Sequence, residues 1–172
     1  MRTPFIAGNW KMFKTAAEAA AFAEEFKALY KDTDIKTAIC APFVHLAELK
    51  KAFEGTGIGV GAQNAHYEDE GAFTGEISVK MLEDIGVDYC VIGHSERRQY
   101  FAETDETVNK KLKRLFAGPI VPIMCVGEHL EQREADEQYA VVKEQLAGGL
   151  ADIPAADVAK LVIAYEPVWA IG

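Results

Sequence analysis

A carboxylate at the end of an apolar run is the first candidate for chemistry in this sequence. Glu166 ends the run LVIAYE and is followed by Pro167. A carboxylate at the edge of an apolar sheet is partly removed from water, which raises its affinity for a proton and suits it to act as a general base. The alternative is a structural carboxylate that caps a helix or pairs with an arginine.

A histidine follows another apolar run. His94 lies in the segment GHSE, where we expect a strand to end and Ser95 or Glu96 to begin a helix. A helix N-terminus disfavours the imidazolium form, so a neutral ring remains that can donate a hydrogen bond to a developing oxyanion. A structural or solvated histidine is the alternative, although Gly93 permits the close backbone approach that a catalytic site often needs.

Asn9 and Lys11 stand two positions apart at the end of the first apolar run. Side chains alternate along a strand, so both should point to the same side. A lysine there could hold an anionic substrate within an acidic protein. The alternatives are a surface lysine and a lysine whose structural partner is Glu96.

Six short β-rich segments alternate with helical patterns. The predicted strands cover residues 5–10, 37–41, 58–62, 89–93, 120–126 and 161–165. Most are continuously apolar, which is typical of a parallel sheet covered on both faces. A capping box from Thr15 to Glu18 predicts the start of the first helix. The predicted core stripes of the helices are Phe22, Phe26 and Leu29; Leu46, Leu49 and Phe53; Val108, Leu112 and Leu115; and Tyr139, Val142 and Leu146.

Two α/β architectures fit this alternation, an open doubly wound sheet and a (β/α)8 barrel. The first strand is not followed by the glycine-rich loop of a nucleotide-binding open sheet. A barrel has eight strands in about 250 residues and carries its chemistry on the loops at the carboxyl ends of the strands. The candidate polar residues follow strands in that way. The long polar loop between Ala62 and Ser78 is typical of a segment that binds something.

Composition disfavours several classes of function. The 172 residues contain 18 Lys and Arg against 27 Asp and Glu, a formal charge of -9, which argues against nucleic acid or an anionic membrane as partner. The three cysteines lie in apolar runs and fit a reducing cytosol. We expect no signal peptide or membrane span. His66 and His129 lack a convincing ligand spacing, so neither a metal nor another cofactor is implied.

Six motifs, in order along the whole chain, resemble the triosephosphate isomerase family. They are GNWK (8–11), GAQN (61–64), FTGEIS (73–78), VIGHSERR (91–98), CVGE (125–128) and AYEPVWAIG (164–172). The fourth and sixth are highly specific. The resemblance implies a TIM (β/α)8 barrel with about its first six strands present. It also implies a cytoplasmic isomerase of glycolysis and gluconeogenesis that interconverts dihydroxyacetone phosphate and D-glyceraldehyde 3-phosphate through an enediol.

The resemblance assigns roles to the residues at matching positions. Glu166 would take the carbon-bound proton, and neutral His94 would polarise the carbonyl and move protons between the oxygens. Lys11 would offset the charge of the substrate. Asn9 and the backbone N–H of Gly172 would help to bind it. The supporting residues would be Ser95 and Glu96.

A homodimer is also implied, in which the loop of residues 73–76 inserts near the partner's site. Thr74 would brace that site, and Arg97 would pair with Glu76 of the partner subunit. Because the last motif stops within the family's moving lid, we expect residues 1–172 to form one incomplete barrel domain that lacks strands seven and eight. Such a chain should be weakly active or inactive alone. The loops of the missing strands should supply contacts to the substrate phosphate, and binding energy from that remote group normally lowers the barrier at the reacting carbons.

Two other classes of function remain open. A Schiff-base aldolase on a similar barrel would use Lys11 as its nucleophile. A non-catalytic binding or folding fragment would instead require a complementing C-terminal piece. Trapping with borohydride in the presence of substrate tests the first, and assays with and without the missing strands test the second.

Overall fold

The computed structural model describes residues 3–171, in which six parallel strands form one sheet that curls into part of a barrel. The strands are β1 (Phe5–Asn9), β2 (Lys36–Ala41), β3 (Ile58–Ala62), β4 (Tyr89–Ile92), β5 (Val121–Val126) and β6 (Val162–Tyr165). Each strand pairs with the next one in chain order. The α/β prediction is confirmed, and every strand lies within one residue of its predicted ends.

Helices connect the strands, as parallel neighbours require. They are α1 (Ala16–Leu29), α2 (Phe43–Ala52), α3 (Val79–Ile85), α4 (Ser95–Tyr100), α5 (Asp105–Phe116), α6 (Leu130–Glu134), α7 (Gln138–Gly149) and α8 (Ala155–Val158). A short 3-10 turn, Val168–Ala170, follows β6. Because all six strands run in the same direction, their carboxyl ends meet at one edge of the sheet, where the candidate side chains lie.

Apolar side chains cover both faces of β2 to β5, which explains the continuous apolar runs of these strands. On the outer face, Ile92, Met124 and Val126 pack with the helices in the main core. On the inner face a second cluster contains Cys40, Val91, Ile123 and Cys125. Neighbouring residues of β5 thus enter opposite cores, as the alternation of a strand requires.

The predicted start of α1 is confirmed by its hydrogen bonds. The Thr15 hydroxyl accepts the Glu18 N–H, and the Glu18 carboxylate accepts the Thr15 N–H at 2.7 Å. Two predicted core residues were wrong, since Leu29 is 79% exposed and Tyr139 is 83% exposed. Both lie in the terminal turns of their helices. Helical spacing identifies the apolar face of a helix, but it does not tell whether the packed neighbouring elements extend far enough to cover the terminal turns of that face.

The long loop after β3 is ordered by its own contacts. The His66 N–H donates to the Ile77 carbonyl at 2.8 Å, and the His66 ring packs against Tyr67 and Phe73. The tip of the loop, residues 68–76, is exposed. The loop therefore projects from the carboxyl edge of the sheet as a structured protrusion.

None of the helices within residues 3–171 combines the length and the apolar character needed to cross a bilayer.

Candidate active site

His94 lies two residues after the end of β4 and caps the N-terminus of α4. Its Nδ1 accepts the backbone N–H of Glu96 at 3.2 Å, and the residue is only 5% exposed. A ring nitrogen that accepts an N–H carries no proton of its own, so this contact favours a neutral ring with its proton on Nε2. The hydrogen bond thus turns a donor toward the interior of the site.

Glu166 lies directly after β6, and its backbone N–H donates to the carbonyl of Val126 at 2.7 Å. Its side chain is 22% exposed. The carboxylate oxygen Oε2 is buried and has no hydrogen-bond partner among residues 3–171. Burial, followed by the nearby Glu166 carboxylate, raises the pKa of the Cys125 thiol well above its usual value. Cys125 is therefore a packing residue, as the sequence indicated, and not a nucleophile.

The structure brings Glu166 and His94 together from separate strands. The distance between His94 Nε2 and Glu166 Oε1 is 3.3 Å. A carboxylate and a ring N–H at this separation can both reach a molecule of three carbons. The pair can therefore serve proton abstraction and carbonyl polarisation at neighbouring atoms.

Lys11 and Asn9 are held by Gln63, which extends from the end of β3. The Gln63 side-chain N–H2 group contacts Asn9 Oδ1 at 3.1 Å and the Lys11 carbonyl at 2.9 Å. The Lys11 N–H donates to Asn9 Oδ1 at 3.0 Å, and Lys11 has a positive φ of 52°. L-residues adopt that conformation rarely, so these hydrogen bonds offset its cost. Sequence reasoning placed Gln63 at this edge but gave it no role.

A cavity of about 210 Å³ opens beside these residues. Asn9, Lys11 and His94 line it, together with Gln63 and Glu96. Glu166 instead lines a neighbouring cavity of about 30 Å³ that also contains Ser95. His94 lines the larger cavity and Glu166 the smaller one. Within residues 3–171, no group of three or more His, Cys, Asp or Glu side chains is arranged to hold a metal ion.

Glu96 pairs with Lys11, an alternative that the sequence left open. Lys11 Nζ lies 3.0 Å from Glu96 Oε1, and Glu96 Oε2 lies 3.5 Å from His94 Nδ1. The Lys11 ammonium thus lies in the cavity with a carboxylate already beside it. An anion that binds there must compete with Glu96.

A buried charge network supports the turn before His94, and sequence reasoning missed it. Glu103 accepts hydrogen bonds from Gly93 N–H, Arg97 Nε and Lys111 Nζ at 2.8 to 2.9 Å. Burial raises the pKa of Glu103, but Lys111, Arg97 and the Gly93 N–H outweigh it, so the net pKa is lowered. Lys111 also donates to Asn64 at 2.8 Å. Gly93, Arg97 and Lys111 lie 10, 6 and 8 positions from Glu103 but in different elements, and Asn64 is 47 positions from Lys111, so the spacing within any one helix or strand does not predict the network.

Glu128 is a second buried carboxylate to which the sequence gave no role. It is 0% exposed and accepts hydrogen bonds from Tyr165 OH and from Trp169 Nε1 at 3.0 Å. Burial raises the pKa of Glu128, but these donors and Arg133 lower it by a larger amount. The net pKa of Glu128 therefore lies below its usual value. Glu128 therefore fixes the chain on both sides of Glu166. Its only sequence signal was its place in the CVGE motif.

Three further predicted residues, Thr74, Glu76 and Arg97, were assigned to a dimer interface. Thr74 and Glu76 are exposed in the loop after β3. Arg97 pairs with Glu103 of its own chain at 2.9 Å, and its guanidinium lies over the Phe101 ring. Pairing of Arg97 with Glu76 of the partner subunit therefore stays a prediction. Gly172, predicted to bind substrate, lies outside the described residues.

Comparison with known proteins gives a consistent result. A family model described as triosephosphate isomerase matches residues 4–172. A protein named triosephosphate isomerase from Alkaliphilus oremlandii is 51% identical over 172 residues, which is 100% of this chain and 69% of that protein. Proteins of the same name from Clostridium perfringens and Carboxydothermus hydrogenoformans are 55% and 56% identical, again over 100% of this chain and 69% of their own length.

Proposed function

Because the chain belongs to the triosephosphate isomerase family, we propose that it interconverts dihydroxyacetone phosphate and D-glyceraldehyde 3-phosphate by acid/base proton transfer. The observation that carries this proposal is the 3.3 Å contact between Glu166 and the ring of His94. The reaction is an isomerisation, in which hydrogen atoms move within one molecule and no oxidant is consumed. A base and a neighbouring hydrogen-bond donor are therefore the chemical groups that it needs most.

The proposed proton steps use both members of the pair. Glu166 removes a proton from the hydroxyl-bearing carbon, and the C–H electrons form the double bond of the enediol. The carbonyl oxygen gains negative charge and takes a hydrogen bond, then a proton, from His94 Nε2. The other enediol hydroxyl then gives its proton back to His94 Nε2 and becomes the new carbonyl, while Glu166 returns its proton to the neighbouring carbon. A base, a neutral imidazole and a water-excluding loop are the arrangement already described for this enzyme family.

Lys11 and Asn9 provide the proposed substrate-binding side of the site. Both line the 210 Å³ cavity beside His94, and Gln63 donates to the Asn9 side-chain oxygen and to the Lys11 carbonyl. The ammonium of Lys11 attracts an anionic triose phosphate locally, within a chain of net charge -9. Lys11 as the nucleophile of a Schiff-base aldolase is disfavoured, because its ammonium forms an ion pair with Glu96 and the relatives are isomerases.

The 172-residue chain is proposed to be one incomplete barrel domain with slight activity of its own. It has six described strands, and it spans 69% of the length of the relatives it matches. In the proposed complete barrel, strands seven and eight and their loops add donors for the phosphate. Binding energy from that remote group normally lowers the barrier at the reacting carbons.

The cellular setting is proposed to be a homodimer acting in glycolysis and gluconeogenesis in the cytoplasm. The exposed loop that carries Thr74 and Glu76 would insert beside the Asn9 and Lys11 of the partner subunit. A protruding loop and a matching pocket on each chain suit a two-fold contact. The buried state of all three cysteines is compatible with a reducing compartment.

The test is to incubate the chain with dihydroxyacetone phosphate in D2O and to follow aldehyde formation and deuterium incorporation by NMR. The chain is assayed alone and mixed with a polypeptide that supplies the remaining length of the relatives. We expect turnover that rises on complementation and that Glu166→Gln abolishes. Glu131→Gln, a change at an exposed carboxylate of α6, is the matched control. Absence of turnover in both mixtures would overturn the proposal.

A further inference from the structure

Gly127 lies between β5 and α6, and its N–H and carbonyl point away from β6. On either side of it, the carbonyl of Val126 accepts the Glu166 N–H at 2.7 Å, and the carbonyl of Glu128 accepts the Val168 N–H at 3.0 Å. Successive residues of an extended chain direct their polar groups to opposite sides. The N–H and carbonyl of Gly127 therefore point toward the side of β4, which has already ended at Ile92.

The side chain of Gln145, in α7, occupies the place next to Gly127 where β4 would lie if it extended this far. Gln145 Oε1 accepts the Gly127 N–H at 2.8 Å, and Gln145 Nε2 donates to the Gly127 carbonyl at 3.0 Å. The side-chain amide thus satisfies both backbone groups, as a neighbouring strand would. Buried backbone groups without partners are costly, which explains why a glutamine suits this position.

Gly127 is in direct contact with the backbone of Glu166. A Cβ atom added to Gly127 would lie 1.8 Å from the Glu166 carbonyl oxygen. Gly127, Gln145 and Glu166 also line the same 30 Å³ cavity, next to Ser95. Gly127 therefore cannot move toward β6 without displacing the residue that carries the proposed base.

We propose that Gln145 is a positioning residue for Glu166 and acts through the backbone of Gly127. The inference rests on the proposed function, because Glu166 is a base only if that function holds. Gln145 itself makes no proton transfer. It fixes the Gly127 peptide on one side, and the β5–β6 hydrogen bonds fix it on the other, so the Glu166 backbone has a rigid support.

The expected kinetic signature follows from misplacement of a base. Shifts of about an ångström at a catalytic group cost roughly 10-fold to 100-fold in rate while the contacts that bind the substrate remain. Removing the amide should therefore lower kcat by at least about tenfold and change KM by less than about twofold. A side chain that only stabilises the fold would lower the amount of active protein and leave the kcat of folded molecules unchanged.

The experiment compares Gln145→Ala and Gln145→Glu with Glu144→Gln, a change at an exposed neighbour on the same helix. Amide hydrogen exchange by NMR is measured at Gly127, at Glu166 and at the core residue Met124, together with deuterium incorporation into dihydroxyacetone phosphate. The Gln145→Glu variant keeps an acceptor for the Gly127 N–H but loses the donor to the Gly127 carbonyl. We expect the largest effect in Gln145→Ala and a smaller one in Gln145→Glu.

In the expected result, the amides of Gly127 and Glu166 exchange faster in Gln145→Ala, Met124 does not, and Glu144→Gln matches the unaltered chain. Wild-type exchange at Glu166 in Gln145→Ala would overturn the inference. If Gln145→Ala does not fold, Gln145→Glu decides by the same comparison. If the unaltered chain has no turnover either alone or with the complementing polypeptide, the proposed function fails, while the exchange rates still decide whether Gln145 holds the Glu166 backbone.

Discussion

At the scale of single residues, hydrogen bonds from the backbone decide what the site can do. The N–H of Glu96 occupies Nδ1 of His94 and so leaves the ring proton on Nε2, facing Glu166. The Oε2 atom of Glu166 has no hydrogen-bond partner in the described part of the chain. A base with an unoccupied lone pair and a donor of fixed direction are thereby placed side by side.

Shortening Glu166 tests its role as the base. Glu166→Asp keeps the charge but withdraws the carboxylate by one methylene, about 1.5 Å. We expect kcat to fall by roughly 100-fold with a smaller change in KM. The reason is that the shorter side chain loses the alignment of the carboxylate with the substrate proton, while the contacts that bind the substrate remain. Steady-state assays of the complemented chain measure both constants. An unchanged kcat would remove Glu166 from this role.

Replacement of His94 tests the donor. In His94→Asn, the Oδ1 atom is bonded to Cγ as Nδ1 is and can still accept the Glu96 N–H, but the donor at the position of Nε2 is lost. We expect kcat to fall by roughly 100-fold to 1,000-fold, the range for removal of one oxyanion donor, with little change in the free energy of unfolding. Denaturant titration beside the kinetic assay separates these effects. A variant with wild-type kcat would require another donor.

Glu103 gives a prediction for the pH dependence of stability. Its carboxyl pKa is lowered below the usual 4.5 in the folded chain, so it contributes stability above that value and loses the contribution as pH falls through the folded pKa. Glu103→Gln leaves Lys111 buried with a neutral partner and should cost about 3 kcal/mol near neutral pH.

The measurement for Glu103 is the free energy of unfolding of both chains by urea titration from pH 7 downward. The difference between the unaltered chain and Glu103→Gln should be largest at neutral pH and should shrink below about pH 4.5. Glu106→Gln changes an exposed carboxylate at the start of α5 and is the control. A difference that stays constant on acidification would contradict this account of the network.

At the scale of elements, the segment between β5 and α6 connects the strand ends that carry the site. It pairs with the chain after β6 through Val126 and Glu128, and Glu128 also accepts hydrogen bonds from Tyr165 and Trp169. The position of Glu166 is therefore set by the end of β5 and by α7, as well as by its own strand. Contacts between neighbouring βα units thus place the base.

Gly127→Ala tests this element directly. The new methyl group would overlap the Glu166 carbonyl oxygen, which is backbone and has no rotamer to change. We expect a loss of about 1–3 kcal/mol in the free energy of unfolding, as for other overpacked sites, and a lower kcat. Chemical denaturation and the isomerase assay are the measurements. As a control, Gly55→Ala places a methyl group in open space at a site where φ is +74°.

In that comparison, Gly55→Ala should be destabilising through its backbone conformation but should leave kcat unchanged, because Gly55 lies in the loop between α2 and β3 at the opposite edge of the sheet. Equal kcat values for the two variants would show that the Gly127 contact does not bear on the base.

At the scale of the whole molecule, the described sheet has two outer strands, β1 and β6, each paired on one side only. Both expose apolar side chains, with Ile6 at 63% and Ile163 at 47%. An apolar groove between β6 and α7, lined by Tyr139, Val142 and Leu146, adjoins the second of these edges. Unpaired apolar strand edges are templates for association with another chain.

We therefore expect the 172-residue chain to self-associate in a concentration-dependent manner. Ile163→Lys adds a charge to the β6 edge and should shift the association to higher concentration by at least about tenfold. Val44→Lys, on the exposed surface of α2, is the control, since Val44 is 82% exposed and belongs to neither outer strand. Sedimentation velocity over a concentration series measures the effect. Equal association of all three chains would contradict an edge contact.

The sequence by itself determined the order and type of the elements. Mostly apolar runs identified all six strands, of which β2 to β5 are covered on both faces, and the capping box located the start of α1. The sequence also indicated the strand-end residues Asn9, Lys11, His94 and Glu166, since parallel strands bring their carboxyl ends to one edge. Local rules sufficed for these features.

Only the tertiary structure decided which of these side chains meet and what holds them. The 3.3 Å contact of His94 with Glu166, the Glu103–Lys111 pair and the Gln145–Gly127 hydrogen bonds join residues between 8 and 72 positions apart. The exposure of Leu29 and Tyr139 likewise depends on where neighbouring elements end. The periodicity of apolar residues predicts which face of its own helix or strand a residue lies on. Distances across the sheet depend on strand register and helix packing, which the whole chain sets together.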